Sequence, residues 1–220
     1  MCDDKYSYQF TETVIRAKIM NLVIINGSHR TKSNSRKVSD RLKQIADKVG
    51  FKSASIVDLH EELPVLWNED FWDSESEQFK ERNKLTPRLE NADAFVLVSP
   101  EYGGMASPII KNFLLSCSTK ETGHKPAVLV GVSAGEGGTY PISEIRSFAF
   151  KNSFLCFIPA NIIVKNSNDV FNDDLNTSDS EQRLLDYSEY AINILLSYAS
   201  ALTEVRSSGG IDFEKYPYGV

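Results

Sequence analysis

Residues 21–36, NLVIINGSHRTKSNSR, pass from an apolar run into a polar loop and then into a helical pattern. Leu22 to Ile25 is continuously apolar, the pattern of a strand buried on both faces. Beyond the loop, Val38, Leu42, Ile45, Ala46 and Val49 recur at helical spacing, and Gly50 is placed to close that helix as a C-cap. The unit is strand, loop, helix.

The same alternation continues downstream. Ala54 to Leu59 reads as a second strand, and Ser74 to Asn91 as a helix interrupted or restarted at Pro87. Ala94 to Val98 is a third strand, followed by a helix with the apolar face Ile109, Ile110, Phe113, Leu114 and Cys117. Ala127 to Val132 is a fourth strand, Ile142, Ile145 and Ala149 mark the next helix, and Phe157 to Val164 is a fifth strand. Pro159 makes that strand an edge or marks its first residues. A last helix carries Leu184, Leu185, Ala191, Ile192, Leu195, Leu196 and Leu202, with Asp179 or Ser178 as its cap. This alternation predicts one α/β domain, a doubly wound five-stranded parallel sheet with helices on both faces. The domain spans residues 21–205, between an N-terminal extension (1–20) and a C-terminal tail (206–220) expected to be extended and to pack on a partner subunit.

At 220 residues, the chain is long enough to bury a core without disulfide staples. A hydrophobic fraction of 41% and a charged fraction of 25% are those of a globular protein rather than a disordered one. The net charge of −6 argues against a nucleic-acid or membrane-surface partner, since both need a basic field. The three cysteines, Cys2, Cys117 and Cys156, form no CxxC pair, which fits reduced thiols in the cytoplasm. No apolar run reaches membrane-spanning length, and the first residues carry no signal-peptide pattern.

In a doubly wound sheet, ligands lie at the carboxyl ends of the strands, near the point where strand order reverses. Three loops in such positions are rich in glycine and polar residues: NGSHRTKSNS (26–35), SPEYGGMASP (99–108) and GVSAGEGGTYP (131–141). In the first, Gly27 permits a tight turn, Ser28, Thr31, Ser33 and Ser35 supply hydroxyls, and Arg30 a planar fork for phosphate oxygens. The N–H groups of the helix start add an oriented positive end. The sum is a phosphate cradle, although the same serines would also serve a merely capped helix. It is neither a Walker loop nor a GxGxxG fingerprint. In the second loop, Pro100 and Tyr102 form a rigid wall, and Gly103 and Gly104 let backbone approach a flat ligand, or simply punctuate a turn. The third loop, with Gly135, Gly137 and Gly138, gains weight from sharing the same sheet edge.

Read together, GSHRTKSNS, VSPEYGGMASPIIKN and VSAGEGGT resemble the NADPH-dependent FMN reductase family of the flavodoxin-like fold, which includes quinone, azo and chromate reductases. The resemblance runs from about Leu22 to Val164. It implies FMN as cofactor, NADPH or NADH as reductant, a small-molecule electron acceptor and a homodimer or homotetramer. By the same resemblance Ser28, Arg30, Ser33 and Ser35 fall at FMN phosphate positions. Pro100, Glu101, Tyr102, Gly103 and Gly104 fall where the family contacts the isoalloxazine, and Ser133, Gly135, Gly137 and Gly138 line the far side. This chain departs from the family at Lys32, where glycine is common, and at Ser35 and Gly103, where asparagine is common. It also lacks an Asp-Trp pair in the helix after the second loop. Rival readings are a flavodoxin-like electron carrier that does not oxidise nicotinamide and a non-redox phosphate-binding module.

Other residues have plainer readings. No catalytic side chain is expected, because the sequence shows no triad or carboxylate pair and a flavin carries its own chemistry. His29 reads as an exposed loop residue, and Cys117 and Cys156 as core. His60 and His124 lack partners at metal-ligand spacing, so no metal site is expected. The acidic run Asp73, Glu75, Glu77 and Glu81 reads as a solvated helix face, and the Trp67 to Trp72 loop as a lid or a subunit contact.

Overall fold

The computed structural model describes residues 20–63, 65–172 and 178–217, without the side chain of Trp72, so residues 1–19 of the extension expected at 1–20 lie outside it, and Met20 is buried in the core. The strands are β1 (Asn21–Asn26), β2 (Ser53–Asp58), β3 (Ala94–Tyr102), β4 (Met105–Ala106), β5 (Pro126–Val132) and β6 (Cys156–Val164). Five of them run parallel in the order β2-β1-β3-β5-β6, and β4 is a short antiparallel addition folded back on the end of β3. The fold is the predicted flavodoxin-like one. Strand order reverses between β1 and β3, so the crevice at that switch point falls beside the first and second loops.

The helices are α1 (Asn34–Val49), α2 (Leu59–Glu62), α3 (Glu77–Asn83), α4 (Thr86–Glu90), α5 (Pro108–Ser116), α6 (Thr119–Thr122), α7 (Thr139–Phe148) and α8 (Asp179–Ser207). Successive strand side chains point to opposite faces, and Ile24 and Ile25 are both 0% exposed, so β1 needs cover on both sides. Leu22 and Ile24 belong to one hydrophobic cluster with Val38 and Leu42 of α1 and Ile192 and Leu195 of α8. Val23 and Ile25 belong to a second cluster with Leu89 of α4, Ile110 and Phe113 of α5 and Ile145 of α7. Each such side chain, fully buried, contributes about 1.5–3 kcal/mol.

Several expectations are sharpened. The helix expected over 74–91 is two helices, α3 and α4, with Pro87 in the first turn of α4, where its missing N–H costs nothing. β3 continues past Val98 because Ser99 and Pro100 still pair with Gly131 and Val132. β6 is an edge strand, and its register against β5 slips between Ala127 and Leu129, opposite the segment holding Pro159. A residue without an N–H is accommodated there by an irregular ladder. Ser178, rather than Asp179, caps α8, accepting from the Glu181 N–H.

Two expectations are corrected. Cys117 and Cys156 are free thiols but only partly buried, and burial pushes both thiols up, which keeps them unreactive. The tail does not simply extend away. The Phe213 ring stacks on His124 at 5.7 Å and meets Phe154 edge-on at 5.1 Å, because an aromatic cluster of this chain offers it cover. Among the described residues no helix is long and apolar enough to cross a membrane.

Candidate functional site

Parallel pairing brings β1, β3 and β5 to one edge, and the three loops that follow them lie side by side. The Gly27 N–H donates to Val98 O at 2.8 Å, and the Ser107 hydroxyl donates to Gly27 O. The first loop therefore starts anchored to the middle of β3 and the N-cap of α5. Ser28 is fully buried, its Oγ lying 3.1 Å from the Tyr102 hydroxyl and accepting from the Arg30 N–H. One hydroxyl thus joins the first loop to the second.

The serines divide their work. Ser33 is the N-cap of α1 and accepts from the Arg36 N–H at 3.1 Å, so the capping reading holds for it. Ser35 is buried in the first turn, where its carbonyl receives the Ser39 hydroxyl. Arg30 is exposed and has no carboxylate partner among the described residues. Among those residues no acceptor meets the backbone N–H groups of Thr31, Lys32, Asn34 and Ser35. These donors gather at the positive end of a 16-residue helix, an arrangement suited to an anion.

The ring-side wall is braced by two carboxylates. Glu101 is turned toward the third loop, where its Oε2 accepts from the Gly138 N–H at 2.5 Å. Glu144 reaches back from α7, accepts from the Ala106 N–H at 2.6 Å and pairs with Lys111 at 2.8 Å. Burial raises the Glu144 carboxyl, but Lys111 and the Ala106 N–H outweigh it and hold the group below the usual range. Gly103 and Gly104 take φ of +59° and +76°, and a Cβ added to Gly104 would meet nothing within 4 Å. Beside Pro100 and Tyr102 this turn is an open backbone shelf.

In the third loop, the Ser133 Oγ accepts from the Gly135 N–H, and Gly135 O accepts from the Asn166 N–H at 2.9 Å. Gly137 packs against the Glu101 carboxylate. Behind it, a Cβ on Gly131 would lie 1.7 Å from Gly138 O, so β5 and the start of α7 touch backbone to backbone.

All thirteen residues expected at the site therefore lie in or beside these adjoining loops, with the Glu101 carboxylate committed to the third loop. Sequence reasoning missed Asn34, whose amide donates to the Ser167 Oγ and the Asn168 Oδ1, tying in the loop after β6. It also missed Asn26 and Asp58, linked at 2.9 Å, whose signal was a polar residue closing each apolar run. The Asn26 Oδ1 is buried without a partner among the described residues. His29 is exposed, as expected. Trp67 lies beside α5, its backbone N–H donating to the Asn112 Oδ1, and lines a cleft with Phe71, Phe79 and Leu115. Among the described residues no cluster of three His, Cys, Asp or Glu side chains could hold a metal ion.

A flavin mononucleotide consists of a dianionic phosphate, a polyol and a flat tricyclic ring. The uncommitted N–H groups with Arg30 fit the first, and the open Gly103–Gly104 shelf fits the last. Fold and site together define a flavodoxin-like FMN protein.

Residues 20–169 match the family described as NADPH-dependent FMN reductase. An NADPH azoreductase of Bacillus sp. (strain OY1-2) is 32% identical over 196 residues, 88% of this chain and 100% of the relative. An FMN-dependent NADPH-azoreductase of Staphylococcus saprophyticus is 32% identical over 128 residues, 58% of this chain and 68% of the relative. Among solved structures, the flavoenzyme NAD(P)H:(acceptor) oxidoreductase FerB of Paracoccus denitrificans superposes with a TM-score of 0.64. That match has 15% identity and covers 83% of this chain and 98% of FerB, a likeness of fold. The chain belongs to the NADPH-dependent FMN reductase family. It is an FMN-dependent oxidoreductase using NAD(P)H, which sets aside the readings as an electron carrier or a non-redox module.

Proposed function

We propose that the protein reduces a small azo or quinone acceptor at the strand-end site, with Ser28, Arg30, Ser33 and Ser35 around the flavin phosphate. The observation that carries this is the pairing of unpartnered N–H donors at the start of α1 with an open backbone shelf at Gly103 and Gly104. FMN, when bound, would supply the redox chemistry, hydride transfer between nicotinamide and acceptor, and the protein's own residues would hold and orient it. Pro100, Glu101, Tyr102, Gly103 and Gly104 form one wall beside the ring, and Ser133, Gly135, Gly137 and Gly138 the other. Glu101 acts through its hold on Gly138, keeping the two walls at fixed spacing. The Ser28–Tyr102 contact ties the phosphate end of the site to the ring end. No side chain is asked to move a proton, and catalysis rests on positioning.

The working form is a homodimer at least. Leu66 at 73% and Leu115 at 58% exposure, with Tyr140 and Phe148, leave more apolar surface than a monomer needs. Partly buried free thiols and a need for NAD(P)H are consistent with the cytoplasm.

The test is the visible spectrum of the purified protein, followed by anaerobic mixing with NADPH and, separately, NADH. Loss of the yellow flavin colour is expected, with ping-pong kinetics once a quinone or azo dye is added. A flavin-loaded protein that neither nucleotide bleaches overturns the reading.

A further inference from the structure

A cleft of about 510 Å³ opens beside the first loop. It begins at Thr31 to Ser33 and runs along α1 as far as Gln44. From Ser33 to Gln44 the helical rise spans about 16 Å, several times the width of one phosphate. The cleft is therefore larger than the flavin phosphate requires.

Its charge is opposite to that of the chain. Lys32, Arg36, Lys37 and Arg41 line it against one carboxylate, Asp40, in a protein of net charge −6. The four cations are not equally committed. Arg36 is neutralised by Asp40 and Asp58, each at 3.2 Å. Lys37 donates to neutral oxygens, Ser167 O at 2.8 Å and the Asn172 Oδ1 at 2.6 Å, while the Glu181 and Asp169 carboxylates partly offset its charge from beyond ion-pair distance. Lys32 and Arg41 have no carboxylate partner among the described residues.

The wall is preformed. Arg41 lies over the Phe171 ring, 5.9 Å from its centroid, which orients the guanidinium plane. Phe171 is buried and takes a φ of +59°, held by its N–H bonding to the Glu181 Oε1 at 2.6 Å. A non-glycine residue in that region costs about 1–3 kcal/mol and persists only where its surroundings over-determine it. The Gln44 amide adds a neutral donor and acceptor of the kind that meet a ribose or a base edge, while the Asn172 amide is engaged by Lys37 and Asn168.

From this geometry we propose that the cleft binds the phosphorylated adenosine of an adenine dinucleotide. Two sources carry that chemistry. One is the adenylyl half of FAD, continuing past the flavin phosphate, and it rests on the first loop holding that phosphate. The other is the phosphoadenosine of NADPH, which does not depend on that placement.

The experiment uses the full chain, adenosine 2′,5′-bisphosphate as probe in calorimetry, and the variants Arg41→Glu, Arg41→Lys and Gln44→Glu. Wild type should bind the probe, and Arg41→Glu should weaken it at least about tenfold, the scale of one charged hydrogen bond. Arg41→Lys should recover part of the loss, and FMN affinity should stay unchanged throughout. If FAD is the source, Arg41→Glu lowers FAD affinity without touching that for FMN. If NADPH is the source, it raises KM for NADPH while KM for NADH and kcat hold. Should Arg41→Glu fail to fold, judged by thermal melting, Gln44→Glu carries the same comparison. A wild type that binds no probe, or variants that shift all four nucleotides alike or none of them, overturns the proposal. Failure to bind FMN would overturn the phosphate-loop reading instead, and the probe titration would still decide the cleft.

Discussion

Arg30 and Glu101 occupy the same edge of the sheet and do different work there. Arg30 is exposed and engages no carboxylate among the described residues, so its removal costs the apo fold little. Arg30→Ala should weaken FMN binding by about 1.5–3 kcal/mol in a fluorescence titration with the apo melting temperature unmoved. Equal FMN affinity would remove Arg30 from the site. Glu101 is a structural brace, and Glu101→Ala leaves the Gly138 N–H without its acceptor and the two walls uncoupled. FMN affinity should fall by about 1–3 kcal/mol in Glu101→Ala but be largely kept in Glu101→Gln, which can still accept that bond. Equal loss in both would mean that the charge, not the brace, matters. At Gly104, the open space where a Cβ would stand shows that Gly104→Val would not clash with the protein. Its expected loss of flavin comes from the φ of +76° and from filling the shelf.

At the scale of elements, β5 and α7 are joined through Gly131, a glycine inside an otherwise apolar strand. Gly131→Ala must push Gly138 away, costing about 1–3 kcal/mol or more in denaturant unfolding together with flavin retention. A protein that melts and binds as wild type would show that the backbone contact is loose. The end of α4 depends on Lys125, whose Nζ donates to Leu89 O at 2.9 Å and Glu90 O at 2.8 Å. Burial first, then the nearby Arg206, push that ammonium down from 10.5 to about 8. Between those two values the unfolded chain holds a proton that the folded chain has released. Stability from this group therefore rises with pH across that window, by up to about 2–3 kcal/mol. Urea titrations of wild type and Lys125→Met at the two ends of the window should diverge in that direction. A constant difference would mean that Lys125 titrates normally.

For the whole molecule, a doubly wound sheet leaves its site at one edge and exposes apolar side chains both there and elsewhere. The exposed Leu66 and Leu115 lie on the α5 side, near the cleft that Trp67 lines, while Tyr140 and Phe148 mark the two ends of α7. Light scattering at micromolar concentration should give at least a dimer mass, and a monomer would contradict the assembly proposed here. The basic cleft along α1 lies in a protein of net charge −6, so binding there should weaken with salt more steeply than overall charge implies.

The amino-acid sequence by itself determined the five parallel strands and the three loops at their ends. Strands buried on both faces must be continuously apolar, helices covering them must repeat every three to four residues, and glycine and proline punctuate the connections. These are local signals, and they made Ser28, Arg30, Gly103 and Gly104 legible. The tertiary structure alone decided the strand order, the turning of Glu101 onto Gly138 and of Glu144 onto Ala106, and the tie from Asn34 to Ser167. Those bonds join residues 37, 38 and 133 positions apart. A carboxylate or amide reads the same in sequence whether it faces water or a distant N–H. Only strand register and helix packing bring the partner within reach, and the same packing places Lys32, Arg41 and Phe171 around one cleft.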